Sequence, residues 1–158
     1  MSEKMTSAIN SLEIDTRSGS TYPEEFKPEV EARSKRILGD LFGLRNYGVN
    51  LTELQPGAWS AQRHWHTHED EFVYVVSGEL MLVTDDGEQL LAAGMIAGFP
   101  AGLANGHHLI NRSDAPAMYL EIGDRISGDE VYYPDIDLEL RGDGKGGRVF
   151  RRRDGTDY

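Results

Sequence analysis

Cysteine is absent from this 158-residue chain. That excludes thiolate metal sites, a cysteine nucleophile and disulfide staples, and it points to a reducing compartment, the cytoplasm. Long apolar runs are missing too. No stretch approaches the roughly 20 apolar residues needed to span a bilayer, and the opening MSEKMTSAIN holds no apolar segment of signal-peptide length. A membrane is therefore not an expected partner. Positive charge is scarce: 16 Lys and Arg stand against 27 Asp and Glu, a formal net charge of −11. A phosphate backbone would be repelled, which argues against nucleic acid as a partner. The basic run RVFRRRD reads as a solvated edge or an intersubunit ion-pairing segment. The glycine-rich GDGKGGR lacks the GK[ST] ending of a phosphate-binding loop.

Sustained helical periodicity is also lacking. Residues 1–27 are polar and turn-rich, with Ser18, Gly19, Ser20 and Pro23, and read as an arm with little structure of its own. A short helix could open at Pro28, but Gly39 and Gly43 interrupt it, and a strand with a turn fits equally well. From Arg45 the period becomes two: Tyr47, Val49 and Leu51 alternate with Asn46, Gly48 and Asn50. Trp59, Ala61, Arg63 and Trp65 then face one way, and Ser60, Gln62, His64 and His66 the other. EFVYVVSGELMLVTDDGEQLLAAG reads as three strands joined by a Ser-Gly turn and an Asp-Gly hairpin. HHLINRSDAPAMYLEIGD adds two more strands around a Ser-Asp-Ala-Pro turn. Short strands parted by turns every eight to twelve residues indicate an all-β sandwich or barrel. After Asp124 the pattern fades, and YYPDIDLEL is a further strand or a packed arm. The chain thus reads as a single domain over 1–158: an N-terminal arm 1–44, a barrel core 45–124 and a C-terminal extension 125–158.

Three of the five histidines crowd into HWHTHEDEF, residues 64–72. On a strand, residues i and i+2 point the same way, about 7 Å apart. His64 and His66 therefore share a face and can converge on one ion. Glu71 heads a row with Val73 and Val75, an acid at the end of an otherwise buried line, where an unmatched charge is costly. Farther on, His107 shares a face with Leu109 and Asn111, and His108 with Ile110. Either can point inward, but not both. An isolated H-x-H is more often a surface pair than a ligand pair. An acid five residues on and a histidine after a Pro-x-Gly loop turn the balance to metal binding. His68, in a turn with Thr67 and Glu69, reads as a bystander or an outer neighbour of the site.

These residues are where the chain resembles a cupin. The first cupin motif runs here from Gly57 through His64-Trp65-His66 and Glu71 to Gly78, and the second from Gly94 through Pro100-Ala101-Gly102 and His107 to Asn111. The loop before His107 is two residues longer than the motif, which preserves side-chain parity. Met95 stands where the second motif has an aspartate. The resemblance covers about residues 45–124, and the flanking arms suggest the small single-domain bacterial cupins labelled sugar-phosphate isomerases.

The resemblance implies a single jelly-roll-like, double-stranded β-barrel with N- and C-terminal arms. It carries the metal ligands over to His64, His66, Glu71 and His107. Three imidazoles and a carboxylate suit one divalent transition metal, Mn, Fe, Ni, Co, Cu or Zn, without choosing among them. The implied role is to act on or bind a small polar metabolite, carbohydrate or phosphorylated, as a sugar-phosphate isomerase. The rivals are a non-catalytic ligand-binding or sensory module and a metal-dependent oxygenase. No catalytic residue is assigned: His108 and Glu121 are candidates for a base, and Arg45, Arg63 and Arg112 for phosphate binding, although alternation puts Arg63 opposite His64. Small cupins are commonly dimers, and FGLRNYGVNL and YYPDIDLEL would suit arms crossing to a partner subunit.

Overall fold

A computed structural model of the protein describes residues 8–158. The described residues hold thirteen strands and four short 3-10 turns, with no α-helix among them. A six-stranded antiparallel sheet runs in the order β1 (Arg17–Ser18), β2 (Arg33–Ile37), β3 (Tyr47–Leu54), β10 (Ala117–Asp124), β5 (Glu71–Ser77) and β8 (Ile96–Phe99). A three-stranded sheet, β7 (Gly87–Ala92), β6 (Glu79–Thr84) and β9 (His108–Ile110), faces it. A third sheet lines up β13 (Arg148–Arg151), β12 (Leu138–Gly142), β11 (Val131–Tyr133) and β4 (Trp65–His66).

Alternation explains the barrel. Val73 and Val75 on β5, Leu80 and Leu82 on β6, Leu91 on β7, Leu109 on β9, and Ala117 and Tyr119 on β10 meet in one buried cluster with Leu54. Their neighbours along each strand point outward. Gly78, between β5 and β6, shows why the turn needs glycine. Its φ is +73°, and a Cβ there would lie 2.8–2.9 Å from Ala117 and the Pro116 carbonyl.

Residues 28–44 take the strand-and-turn course, with β2 pairing onto β3. Arg17 and Ser18 pair in turn with Lys35 and Ser34, so the N-terminal arm has more structure than its composition suggests. The segment from Trp59 to Trp65 is less regular than its alternation implies. It holds single bridges, Trp59 to Ile110 and His64 to His107, before the two-residue β4. In YYPDIDLEL, Tyr133 and Leu138 are buried within the chain, in a second cluster with Val131 that Tyr22, Phe26 and Phe150 cover.

Candidate metal site

Three segments bring the site together. The bridge between His64 and His107, with backbone N–H groups donating both ways at 3.2 and 2.9 Å, sets those residues side by side. Strand β4 presents His66, and the first residue of β5 presents Glu71. The ligand-type atoms of His64, His66 and Glu71 all lie within 4.8 Å of one another. Glu71 Oε2 is 3.5 Å from His64 Nε2, 3.4 Å from His66 Nε2 and 2.7 Å from His107 Nε2. His107 stacks flat on Phe99, with ring centroids 3.6 Å apart. His108 turns away: its Nδ1 donates to the Ala61 carbonyl at 2.9 Å, and its ring meets Trp59 edge-on. His68 is apart from the cluster, its Nδ1 and the Thr67 hydroxyl sharing a hydrogen bond at 2.7 Å.

The far nitrogens decide the chemistry. His64 Nδ1 sits 2.8 Å from the Gln62 carbonyl and His66 Nδ1 2.7 Å from Asp129 Oδ2. A carbonyl or a carboxylate can only accept, so both Nδ1 atoms carry the hydrogen, and a neutral ring then offers a bare Nε2 to the cluster. Glu71 Oε2 is buried among these nitrogens with no hydrogen-bond partner. Lone pairs gathered this closely repel unless something positive sits between them.

Without an ion the cluster draws a proton instead. Burial works against charge on His66, but Glu71 and Asp129 outweigh it and raise its pKa to about 9. Burial pushes His107 the other way, to about 4, although Glu71 opposes the shift. Glu71 is raised by burial but held well below the usual carboxylate range by the three histidines. A pocket that draws protons onto His66 while keeping Glu71 ionised is one that a divalent cation would neutralise. The donor set, imidazole nitrogens with a carboxylate oxygen, fits a divalent transition metal.

Asp129 is the residue that the sequence pattern did not reveal. It is 2 % exposed. Its Oδ2 accepts from His66, and its Oδ1 accepts the backbone N–H groups of His68 and Glu69 at 2.9 and 3.2 Å. One carboxylate thus sets both the ring of His66 and the turn that leads to Glu71. It lies 63 residues from His66, where alternation has faded, so no local signal marks it.

Two cavities share Glu71, Phe99 and His107. One, of about 240 Å³, is also lined by His64, Asn50, Tyr119 and Glu121. The other, of about 420 Å³, is lined by His66, Thr84, Gln89 and Asn105. The larger volume falls in the range of small-molecule sites. Neither Arg45, Arg63 nor Arg112 lines them. Arg63 is held by Asp85 and by Asp135 at 2.7 Å, and Arg112 by Glu88 at 2.6 and 2.8 Å. Among the described residues, Arg125 is the one Lys or Arg at either cavity, and it pairs with Asp40 at 2.6 Å.

The cupin domain family matches residues 50–123. A sugar phosphate isomerase from Silicibacter pomeroyi, of the cupin superfamily, is 43% identical over 96% of both chains, with a TM-score of 0.90. This chain belongs to the cupin superfamily. A protein from Acidithiobacillus ferrooxidans, named provisionally for the same activity, is 32% identical over 80% of both chains at a TM-score of 0.72. A polyketide cyclase from Streptomyces resistomycificus shares the fold at 15% identity, with a TM-score of 0.62 over 76% of this chain and 80% of its own. A common cupin barrel thus houses unrelated chemistries, and activity must be argued from the site. No curated protein matches the sequence. No helix among the described residues is long and apolar enough to cross a membrane.

Proposed function

We propose that this cupin holds one divalent transition metal on His64, His66, Glu71 and His107 and uses it on a small hydroxy-carbonyl metabolite, in an isomerase of the sugar or sugar-phosphate type. The single observation carrying the metal reading is the buried, unpartnered Glu71 Oε2 ringed by three imidazole nitrogens. The names of the Silicibacter pomeroyi and Acidithiobacillus ferrooxidans structures support the isomerase reading. When bound, a divalent ion supplies Lewis acidity toward a carbonyl or hydroxyl oxygen. The chain's own part is to hold that oxygen beside the cluster, keep His64 and His66 turned inward, and shield the site with Phe99 and Trp65.

The test begins with elemental analysis of protein purified without a histidine tag, loaded in turn with each metal. His66→Ala should keep the fold and lose the ion. Full metal retention in that variant would contradict the ligand set. A screen of aldoses and ketoses, with and without phosphate, follows. Tight binding without turnover would mark a ligand-binding module instead.

The protein is also read as a cytoplasmic homodimer. On the outer face of the large sheet, Phe72, Tyr74 and Val76 on β5 and Ile96 on β8 form an exposed apolar row that a second copy would cover. Light scattering after size-exclusion chromatography decides this: a clean 17.6 kDa monomer would end the idea.

A further inference from the structure

Moving a proton between adjacent carbons requires a base beside the substrate. The smaller cavity has a second acid that the metal cluster does not use. Tyr119, Glu121 and Gly123 form the inner row of β10. The register sets Glu121 opposite Asn50 on β3 and Val73 on β5, and Gly123 opposite Glu71. Glu121 and Glu71 are therefore diagonal neighbours on the inner face, with Cα atoms about 7 Å apart, and both line the cavity. Beside them Gly48 and Gly123 pair across strands and line the same cavity, and the Arg125 guanidinium lies 3.5 Å from where a Cβ on Gly48 would be.

Glu121 is held as a positioned acid. Its Oε1 accepts from Lys35 Nζ and, at 3.0 Å, from Asn50 Nδ2. Its Oε2 has only the Tyr119 hydroxyl, at 3.3 Å. One oxygen is anchored from two strands and the other is loosely held. Burial pushes the carboxyl up, and Lys35 with Asn50 more than offsets this, so the group is ionised at neutral pH. An ion pair inside a barrel contributes little to stability compared with apolar side chains of the same volume. Its place here calls for another role.

We propose that Glu121 is the catalytic base of this site, oriented by Lys35 and Asn50, for a hydroxy-carbonyl substrate held in the smaller cavity between it and the histidine cluster. This rests on the isomerase reading above. The Glu121 carboxylate takes the proton from the hydroxyl-bearing carbon. The C–H electron pair becomes the carbon–carbon double bond of an enediolate, and the carbonyl oxygen takes the negative charge. The carboxylic acid then returns its proton to the former carbonyl carbon, while the hydroxyl proton passes to the other oxygen. No oxidant or reductant is consumed.

The test uses full-length, metal-loaded protein in D2O with dihydroxyacetone, D-xylulose and D-fructose and their phosphates. Exchange of the carbon-bound proton is followed by NMR, and bound metal is counted on the same samples. In Glu121→Gln, exchange kcat should fall by about 100-fold or more, with KM within about threefold and metal content unchanged. A merely structural ion pair would move stability and leave kcat per folded molecule alone. Glu121→Asp keeps the charge beside Lys35 and withdraws the carboxyl by one carbon. It should cost at least about tenfold in kcat, and it carries the test if the Gln variant does not fold. Exchange within about threefold of wild type in the folded variant overturns the proposal, as does metal-loaded wild type that exchanges none of the probes. A wild type that binds no metal overturns the underlying reading, and the proposal with it.

Discussion

Leu80 in the barrel and Leu138 in the C-terminal sheet are both 0% exposed, yet they belong to different clusters. The barrel closes its cluster between two facing sheets. The C-terminal sheet closes its own with one face, covered by Tyr22 and Phe26 from the N-terminal arm. The two regions meet at the histidines. His64 and His107 are bridged to each other, while β4, with His66, hydrogen-bonds to β11 and not to the barrel sheets. The His64 ring lies 5.8 Å from that of Tyr133, and His66 is tied to Asp129. The barrel brings Glu71 and His107 to the site, and the C-terminal region fixes how His66 is presented to them. Neither region makes the site alone.

The largest expected effects test whether the two clusters are one cooperative unit. Leu80→Ala and Leu138→Ala should each cost about 3 kcal/mol, within the range for emptying a fully buried leucine site. Urea denaturation should show a single transition shifted in both variants. If Leu138→Ala left the main transition in place, the C-terminal sheet would be an appendage and the comparison would fail.

A smaller effect separates orientation from packing. Asp129→Asn keeps the size and the acceptor for the two backbone N–H groups but gives up the charge that His66 Nδ1–H donates to. Metal affinity should fall by about 10- to 100-fold, measured by competition with a chromophoric chelator, while the metal-free protein still unfolds in one cooperative transition. Wild-type affinity in this variant would cut the link between the extension and the site.

The same comparison explains what could be read beforehand. The barrel strands carry a period of two and are punctuated by Ser77-Gly78 and Asp86-Gly87, so their existence and their inward rows follow from local chemistry. The shared face of His64 and His66 follows from parity alone, and Glu71 joins them only through the spacing of the motif. The choice between His107 and His108 does not follow from parity, which allows either. In the structure the bridge to His64, 43 residues away in sequence, sets His107 beside it and beside Glu71. Asp129 and Glu121 were harder still. An aspartate in a turn looks solvated in sequence, and only its partner His66 shows that it faces inward; Glu121 is a candidate base from the sequence, but its partners Lys35 and Asn50 come only with the fold.

The smallest effects contrast an interior ion pair with a surface one. The Lys35–Glu121 side chains are about a quarter exposed, and those of Arg112 and Glu88 about half. An exposed pair gains little in water and is screened by salt. Arg112→Ala should leave the melting temperature unchanged within error at physiological ionic strength. Glu121→Gln should lower it at pH 7, because Lys35 loses its partner. The sign follows from the depressed carboxyl. Its contribution is fully present above the ordinary value of 4.5 and is lost as pH falls through the lower folded value. The gap between wild type and Glu121→Gln should therefore shrink once the pH drops below about 4.5. Melting curves across pH 3–7 would show it. A gap that stays constant to the acid end would mean that Lys35 does not sense the charge on Glu121, and the interior pair would then be no different in kind from the surface one.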